Sequence, residues 1–96
     1  MLARIVTFDG VSQQRMAEMR DRIGSQEPPE DIPATEMMLL HDADSETAMA
    51  ILFFENEEDY ARGDAALSAM PADETPGTRT SVRKYDVGLR MESNRA

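Results

Sequence analysis

The 96-residue sequence has no cysteine, no tryptophan, a single histidine and no long apolar run. Without cysteine the chain can form neither a disulfide framework nor a thiolate metal site, and it has no cysteine nucleophile. No apolar segment approaches the roughly 20 residues that a membrane-spanning helix needs. The N-terminal segment also lacks the apolar core and cleavage site of a signal peptide. We therefore expect a cytoplasmic protein.

Positive charge is scarce in the middle of the chain. Residues 24–74 hold one arginine against fourteen acids, and the whole chain carries a net charge of −9. Binding to nucleic acid or to an anionic membrane requires a basic surface patch, because both partners present phosphate groups. We therefore set nucleic acid and membranes aside as partners.

Length and apolar patterning predict one α+β domain over residues 1–90, followed by a short tail at 91–96. Short β-branched and apolar segments predict four strands, and helical spacing of apolar residues predicts two helices, giving the order β-α-β-β-α-β. A proline-rich loop at 24–35 is either a connector or a functional flap. The predicted strands are 2–8, 36–41, 48–54 and 79–89, and the helices end at Gly24 and Pro71.

Both helices begin with capping residues. Ser12 is placed to cap the first, with Val11 and Met16 as a hydrophobic staple. Asn56 is placed to cap the second, with Asp59 three residues later. The acidic stretch around Asn56 therefore belongs to a helix start, where the helix dipole favours negative charge. Successive helical residues point about 100° apart, so these acids do not converge on a metal ion.

The predicted strands are apolar on both faces. Residues 2–8, 37–40 and 48–54 carry apolar side chains at odd and at even positions, whereas a sheet with one solvated face would alternate. Two helices of about three turns cover only one side of a four-stranded sheet, which leaves a large apolar patch on the other. The same face of a second copy is the simplest cover. We therefore predict a homodimer through the apolar sheet face.

Three side chains are candidates for proton transfer: His41, Tyr60 and Tyr85. Histidine is the side chain that gains and loses a proton near neutral pH, although a histidine at a strand end can equally be a structural or solvent-facing group. The two tyrosines could bring phenols to a cavity between the sheet and the helices, or could be ordinary buried tyrosines. No second histidine completes a zinc site, and we predict no metal or cofactor.

Eight methionines make this side chain abundant. Thioether side chains suit an adaptable pocket for flat apolar ligands, but they also fill gaps in an ordinary core. Arg4, Arg79 and Arg83 lie on strands that would pair, where they could clamp an anionic ligand or balance the acidic middle of a partner subunit. The predicted pocket-lining residues are Met16, Met19, Met38, Leu67 and Met70.

Two stretches within residues 48–87 resemble a family of small bacterial proteins: AMAILFFENEEDYARGDAALSAMP and TPGTRTSVRKYDV. The order of strands and helices resembles that family over nearly the whole chain. This is the antibiotic-biosynthesis-monooxygenase-like family of the dimeric α+β barrel superfamily. The resemblance implies a ferredoxin-like fold with a four-stranded antiparallel sheet, assembling as a dimeric α+β barrel. Its members include cofactor-independent oxygenases of polycyclic aromatic substrates, haem-degrading enzymes and proteins without known activity.

The catalytic set of the characterised members, an Asn, a Trp and a His or Tyr, is not matched here. The chain has no tryptophan, His41 lies on a predicted strand, and Asn56 already has a capping role. No catalytic residue is therefore carried over from the family.

Two functional hypotheses remain open. In the first, the protein is a cofactor-independent oxygenase or isomerase that binds a small apolar or aromatic molecule, and His41 or a tyrosine deprotonates it. In the second, it is a non-catalytic protein for small-ligand binding or for assembly.

Overall fold

The structure, a computed structural model, describes residues 1–24, 32–70 and 75–91. The predicted elements are all present in the predicted order, although the last strand ends three residues before the predicted Leu89. Residues 25–31 of the predicted 24–35 loop and residues 92–96 of the predicted tail lie outside the described residues. The elements are β1 (Leu2–Asp9), α1 (Gln13–Gly24), β2 (Glu36–Asp42), β3 (Thr47–Phe54), α2 (Glu57–Ser68) and β4 (Thr78–Asp86).

The predicted capping interactions are confirmed at both helix starts. The Ser12 side chain accepts a hydrogen bond from the Arg15 backbone N–H at 3.1 Å. The Asn56 side chain accepts one from the Asp59 backbone N–H at 2.8 Å. Each bond satisfies a backbone donor that has no partner within the first turn of the helix.

The four strands form one antiparallel sheet in the order β2-β3-β1-β4. With the two helices, this is the ferredoxin-like α+β arrangement. The pairing of β1 with β4 is interrupted by a β-bulge next to Thr7, whose hydroxyl lies 2.7 Å from that of Thr80 and 2.6 Å from that of Ser81. No helix in the described ranges is long and apolar enough to cross a membrane.

One face of the sheet, here called the inner face, packs against the helices. Its apolar side chains form two clusters, one under each helix. The α1 cluster contains Val6, Phe8, Val11, Met16 and Ala48. The α2 cluster contains Leu2, Leu52, Phe54 and Tyr60. Because Val11 and Met16 share a cluster, the predicted hydrophobic staple is confirmed.

A buried arginine lies on the inner face among these apolar residues. Arg4 is 2% exposed; its Nε donates to Asp64 Oδ1 at 2.9 Å, and its Nη2 lies 3.5 Å from Ser68 Oγ. Both partners belong to α2, so the ion pair links the centre of the sheet to that helix. Arg83 is paired with Ile5, on the opposite face. Arg4 and Arg83 therefore do not form the clamp considered from the sequence.

The other face of the sheet, here called the outer face, has neither of the two described helices over it. Met38 and Leu40 of β2 and Tyr85 of β4 are 42%, 48% and 47% exposed on this face. The central strands add half-buried apolar side chains between them. The apolar residues of the outer face are Ala3, Ile5, Met38, Leu40, Met49, Ile51, Phe53 and Tyr85.

Helix α2 approaches the sheet closely at Gly63. A Cβ atom added to Gly63 would lie 2.5 Å and 2.6 Å from two ring carbons of Phe54, a side chain that is fully buried. Only glycine therefore fits this helix position without moving the ring.

We expect Gly63→Ala to destabilise the fold. Alanine improves helix propensity by about 1 kcal/mol, but overpacking a buried ring costs about 1–3 kcal/mol. A net loss of about 1 kcal/mol in the free energy of unfolding should be seen by urea denaturation. Gly88→Ala is the matched control, because no atom lies within 4 Å of the added Cβ. A Gly63→Ala protein more stable than the wild type would contradict the close approach.

Candidate ligand-binding groove

An open groove of about 610 Å³ lies between α1 and β2. Its helical wall consists of Gln13, Met16 and Arg20, which the spacing of three and then four residues places on one face of α1. Its strand wall consists of Leu39 and His41, two residues apart and therefore on the same face of β2. We call this the α1–β2 groove.

His41 is fixed in the groove wall by one of its ring nitrogens. His41 Nε2 lies 2.8 Å from the carbonyl oxygen of Val11. A carbonyl oxygen can only accept, so Nε2 carries the hydrogen and donates it. In the neutral ring, Nδ1 is then the nitrogen with a free lone pair. The arrangement holds the ring in one tautomer and leaves one defined proton acceptor.

The same bond also anchors the connection from β1 to α1. The Val11 backbone N–H donates to the Glu46 carbonyl at 2.7 Å, and the Val11 side chain is fully buried. Val11 is thus held from both sides by residues of the β2–β3 hairpin. The predicted alternative, a structural role for His41, is consistent with this geometry as well.

The acids next to His41 serve the hairpin turn. Asp42 accepts hydrogen bonds from the backbone N–H groups of Asp44 and Ser45 at 3.1 Å and 3.4 Å. Hydrogen bonds from the side chain and backbone of Ser45 lower the pKa of Asp42 below its ordinary value. Among the described residues, no group of three or more His, Asp or Glu side chains is placed to hold a metal ion.

Tyr60 lies in the α2 cluster, away from the groove lining. Its ring packs edge-on against Phe54 at a centroid distance of 5.4 Å, and Lys84 Nζ lies 4.9 Å from its centre. Burial raises the pKa of the Tyr60 phenol, and Asp64 raises it further, while Arg4 and Lys84 act in the opposite direction. A phenol of this kind stays protonated at neutral pH and cannot serve as the base.

Tyr85 and Met38 are placed differently from the sequence prediction. Both were expected in the space between the sheet and the helices, and both lie on the outer face. The reason is the strand alternation, which puts Met37 and Lys84 on the inner face at the neighbouring positions. These two residues therefore cannot line a cavity under the helices.

The other predicted pocket residues are dispersed. Met16 lines the α1–β2 groove, and Met19 is a buried core residue. Leu67 is half-buried against the α2 cluster. Met70 lines a separate groove, with Arg15 and Arg79, at the end of the sheet where β4 begins. The single methionine-lined pocket predicted from the sequence is thus not the arrangement found.

Three residues of the α1–β2 groove were missed by the sequence prediction. They are Gln13, Arg20 and Leu39, none of which was among the predicted site residues. The signal that could have found them is helical spacing, because residues 13, 16 and 20 lie along one face. That spacing does not by itself tell which strand faces the helix.

Comparisons with known proteins do not assign the chain to a family: neither a scan against models of protein families nor a search of curated proteins found a match.

We expect the Tyr60 phenol to titrate above its ordinary value of about 10. In Tyr85→Phe, Tyr60 is the only tyrosine left, and its phenolate absorbance can be followed against pH. Because the folded pKa is raised, the stability contributed by Tyr60 is complete below pH 10 and is lost as pH rises through the folded pKa.

The free energy of unfolding should therefore fall less steeply above pH 10 in Tyr60→Phe than in the wild type. Some fall should persist, because the hydrogen bond from Lys84 to Glu57 also raises the pKa of Lys84. A Tyr60 midpoint below 10 would make this phenol a possible base and would contradict the assignment.

Proposed function

We propose that this protein is a cytoplasmic homodimer of the dimeric α+β barrel kind that binds a small aromatic molecule with an acidic hydroxyl in the α1–β2 groove. His41 accepts the proton from that hydroxyl. The observation that carries the proposal is the bond from His41 Nε2 to Val11, which leaves Nδ1 as the proton acceptor of a groove residue.

The chemical character of the groove supports this class of ligand. Its volume of about 610 Å³ lies within the range of small-molecule sites. Met16 and Leu39 provide apolar surface for a ring, and the Arg20 guanidinium provides positive charge for the phenolate that forms. Gln13 adds an amide that can donate to the same oxygen.

Proton removal is sufficient for monooxygenation without a metal or organic cofactor. Loss of the hydroxyl proton to His41 pushes electron density onto the ring carbon opposite the oxygen. That carbon supplies the electrons for a bond to O2, and the peroxide that forms takes the proton back from His41. The hydroperoxide then loses water, formed from its terminal OH and the hydrogen of the same ring carbon, to leave a second carbonyl. One phenol and one O2 give one quinone and one water, so no other reductant is required.

A non-catalytic role is the competing proposal, and a specific observation favours it. The bond between His41 and Val11, together with that between Val11 and Glu46, is a complete structural explanation for the histidine. Under this alternative the groove binds a ligand, or the chain serves only in assembly.

The homodimer rests on the outer face. Its eight apolar residues have no covering element in the part of the chain that the structure describes, and Met38, Leu40 and Tyr85 are each more than two-fifths exposed. Exposed apolar patches of this extent usually mark an interaction surface. When the identical face of a second copy packs against it, both apolar faces are removed from water.

The catalytic proposal is tested with 1-naphthol as the probe. Wild-type protein should bind 1-naphthol and convert it with O2 to 1,4-naphthoquinone, measured by oxygen uptake and by quinone absorbance. His41→Gln replaces the ring by an amide N–H that can still donate to the Val11 carbonyl, but it removes the base. Turnover should fall by about 10²-fold or more, with binding retained.

Tyr60→Phe is the control and should leave turnover unchanged, because Tyr60 does not line the groove. Binding of 1-naphthol without turnover in the wild type would favour the non-catalytic alternative. Equal turnover in the wild type and His41→Gln would remove His41 from the mechanism.

The dimer is tested with two adjacent residues of β2. Met38→Asp places a charge on the outer face, whereas Met37→Asp makes the same change on the inner side of the strand. The two residues are 42% and 46% exposed, so they are matched in accessibility. In sedimentation at micromolar concentration, wild type and Met37→Asp should be dimeric and Met38→Asp monomeric. A monomeric wild type would overturn the dimer.

A further inference from the structure

The segment that follows β4, residues 87–91, crosses the end of the sheet; we call it the arm. The Val87 backbone N–H donates to the Met1 carbonyl at 3.0 Å, beside the start of β1. Arg90 Nη2 donates to Glu36 Oε2 at 2.7 Å. Glu36 begins β2, the edge strand farthest from β4. Through the Arg90 side chain, the arm thus links the β4 edge of the sheet to the β2 edge.

Two of the three apolar side chains of the arm, those of Leu89 and Met91, project almost entirely into solvent. Leu89 and Met91 are 80% and 82% exposed, far more than Met38, Leu40 or Tyr85 on the outer face. They flank Arg90, whose side chain is held on Glu36. Single exposed apolar residues are ordinary on protein surfaces. Two such residues beside an uncovered apolar sheet are a candidate interface.

The area of the outer face shows why a dimer needs the arm. Strands about 4.8 Å apart that rise about 3.3 Å per residue give four strands of seven residues a plan area of about 440 Å². The plan areas of two such faces sum to about 900 Å², whereas specific interfaces bury more than about 1,000 Å² and typically about 1,600 Å². Additional surface from the arms brings the dimer into that range.

We infer that, in the homodimer, the arm of each chain lies on the outer face of the partner, with Leu89 and Met91 packed on apolar residues of the partner's sheet. This inference rests on the proposed homodimer. The occupant of each outer face is then the second copy's sheet together with the second copy's arm. The bonds of Val87 to Met1 and of Arg90 to Glu36 hold the arm at the end of its own sheet, and Leu89 and Met91 project from there towards the partner.

The first experiment measures the dimer dissociation constant by sedimentation of the full chain. Leu89→Ser/Met91→Ser should raise the dimer dissociation constant by about tenfold to a hundredfold for each of the two arms in the dimer. The reason is that each arm loses two large apolar side chains from the interface. Met37→Ser is the matched control, since it removes an exposed methionine outside the outer face and should leave the constant unchanged.

The second experiment uses the absence of cysteine, which makes single-cysteine variants unambiguous. Leu89→Cys protein is mixed with Met38→Cys protein, or with Leu40→Cys protein, and oxidised under mild conditions. A disulfide between the two different chains should form in at least one mixture, and should exceed that obtained with Glu18→Cys, an exposed position on α1. Each variant oxidised alone corrects for pairing between identical positions.

The outcomes distinguish a failure of this inference from a failure of the homodimer proposal on which it rests. A monomeric wild type would overturn both. A dimeric wild type whose dissociation constant is unchanged in Leu89→Ser/Met91→Ser would overturn the arm alone. A double variant, Leu89→Cys/Met38→Cys, that forms its disulfide only within one chain would show that the arm covers its own sheet, and would also overturn the inference.

Discussion

A four-stranded sheet that is apolar on both faces, with both described helices on the same face, is the constraint from which the rest of the structure follows. The inner face buries Val6, Phe8, Leu52 and Phe54 under the two helices. The outer face is left with apolar side chains that no element among the described residues covers. A small domain has little stability to spare, so an uncovered face of this size is a strong pressure towards association.

The two helices meet that sheet in different ways, and the difference locates the candidate site. Helix α2 lies close, because Gly63 lets its backbone approach Phe54, and the space beneath it is filled by Tyr60 and Leu67. Helix α1 leaves a groove beside β2, where polar groups from both elements face the opening. The packed half provides rigidity, and the open half provides access to His41.

The order of elements, the helix caps and the staple could all be predicted, because each depends on residues close together in sequence. The face of the sheet on which a residue lies could not. When both faces are apolar, the sequence does not show which of two successive strand residues faces the helices. Met37 and Met38 therefore cannot be told apart until the register with β3 is known. The bulge between β1 and β4 shifts the register of the last strand, so the face on which its residues lie could not be predicted from alternation either. Tyr85 and Met38 were misplaced for this reason, and the groove was missed because helical spacing does not identify the facing strand.

During folding, the chain must also select which face of each strand is directed towards the helices. A one-residue slip of β1 would exchange one largely apolar set of side chains for another, so hydrophobic burial discriminates poorly between the two registers. Arg4 breaks this symmetry. In the native register its guanidinium reaches Asp64 and Ser68 of α2, and in the slipped register it would be directed to the opposite face, away from both partners. The ion pair of the buried Arg4 thus favours one register over the other, and so selects which of two nearly equivalent sheets the sequence forms.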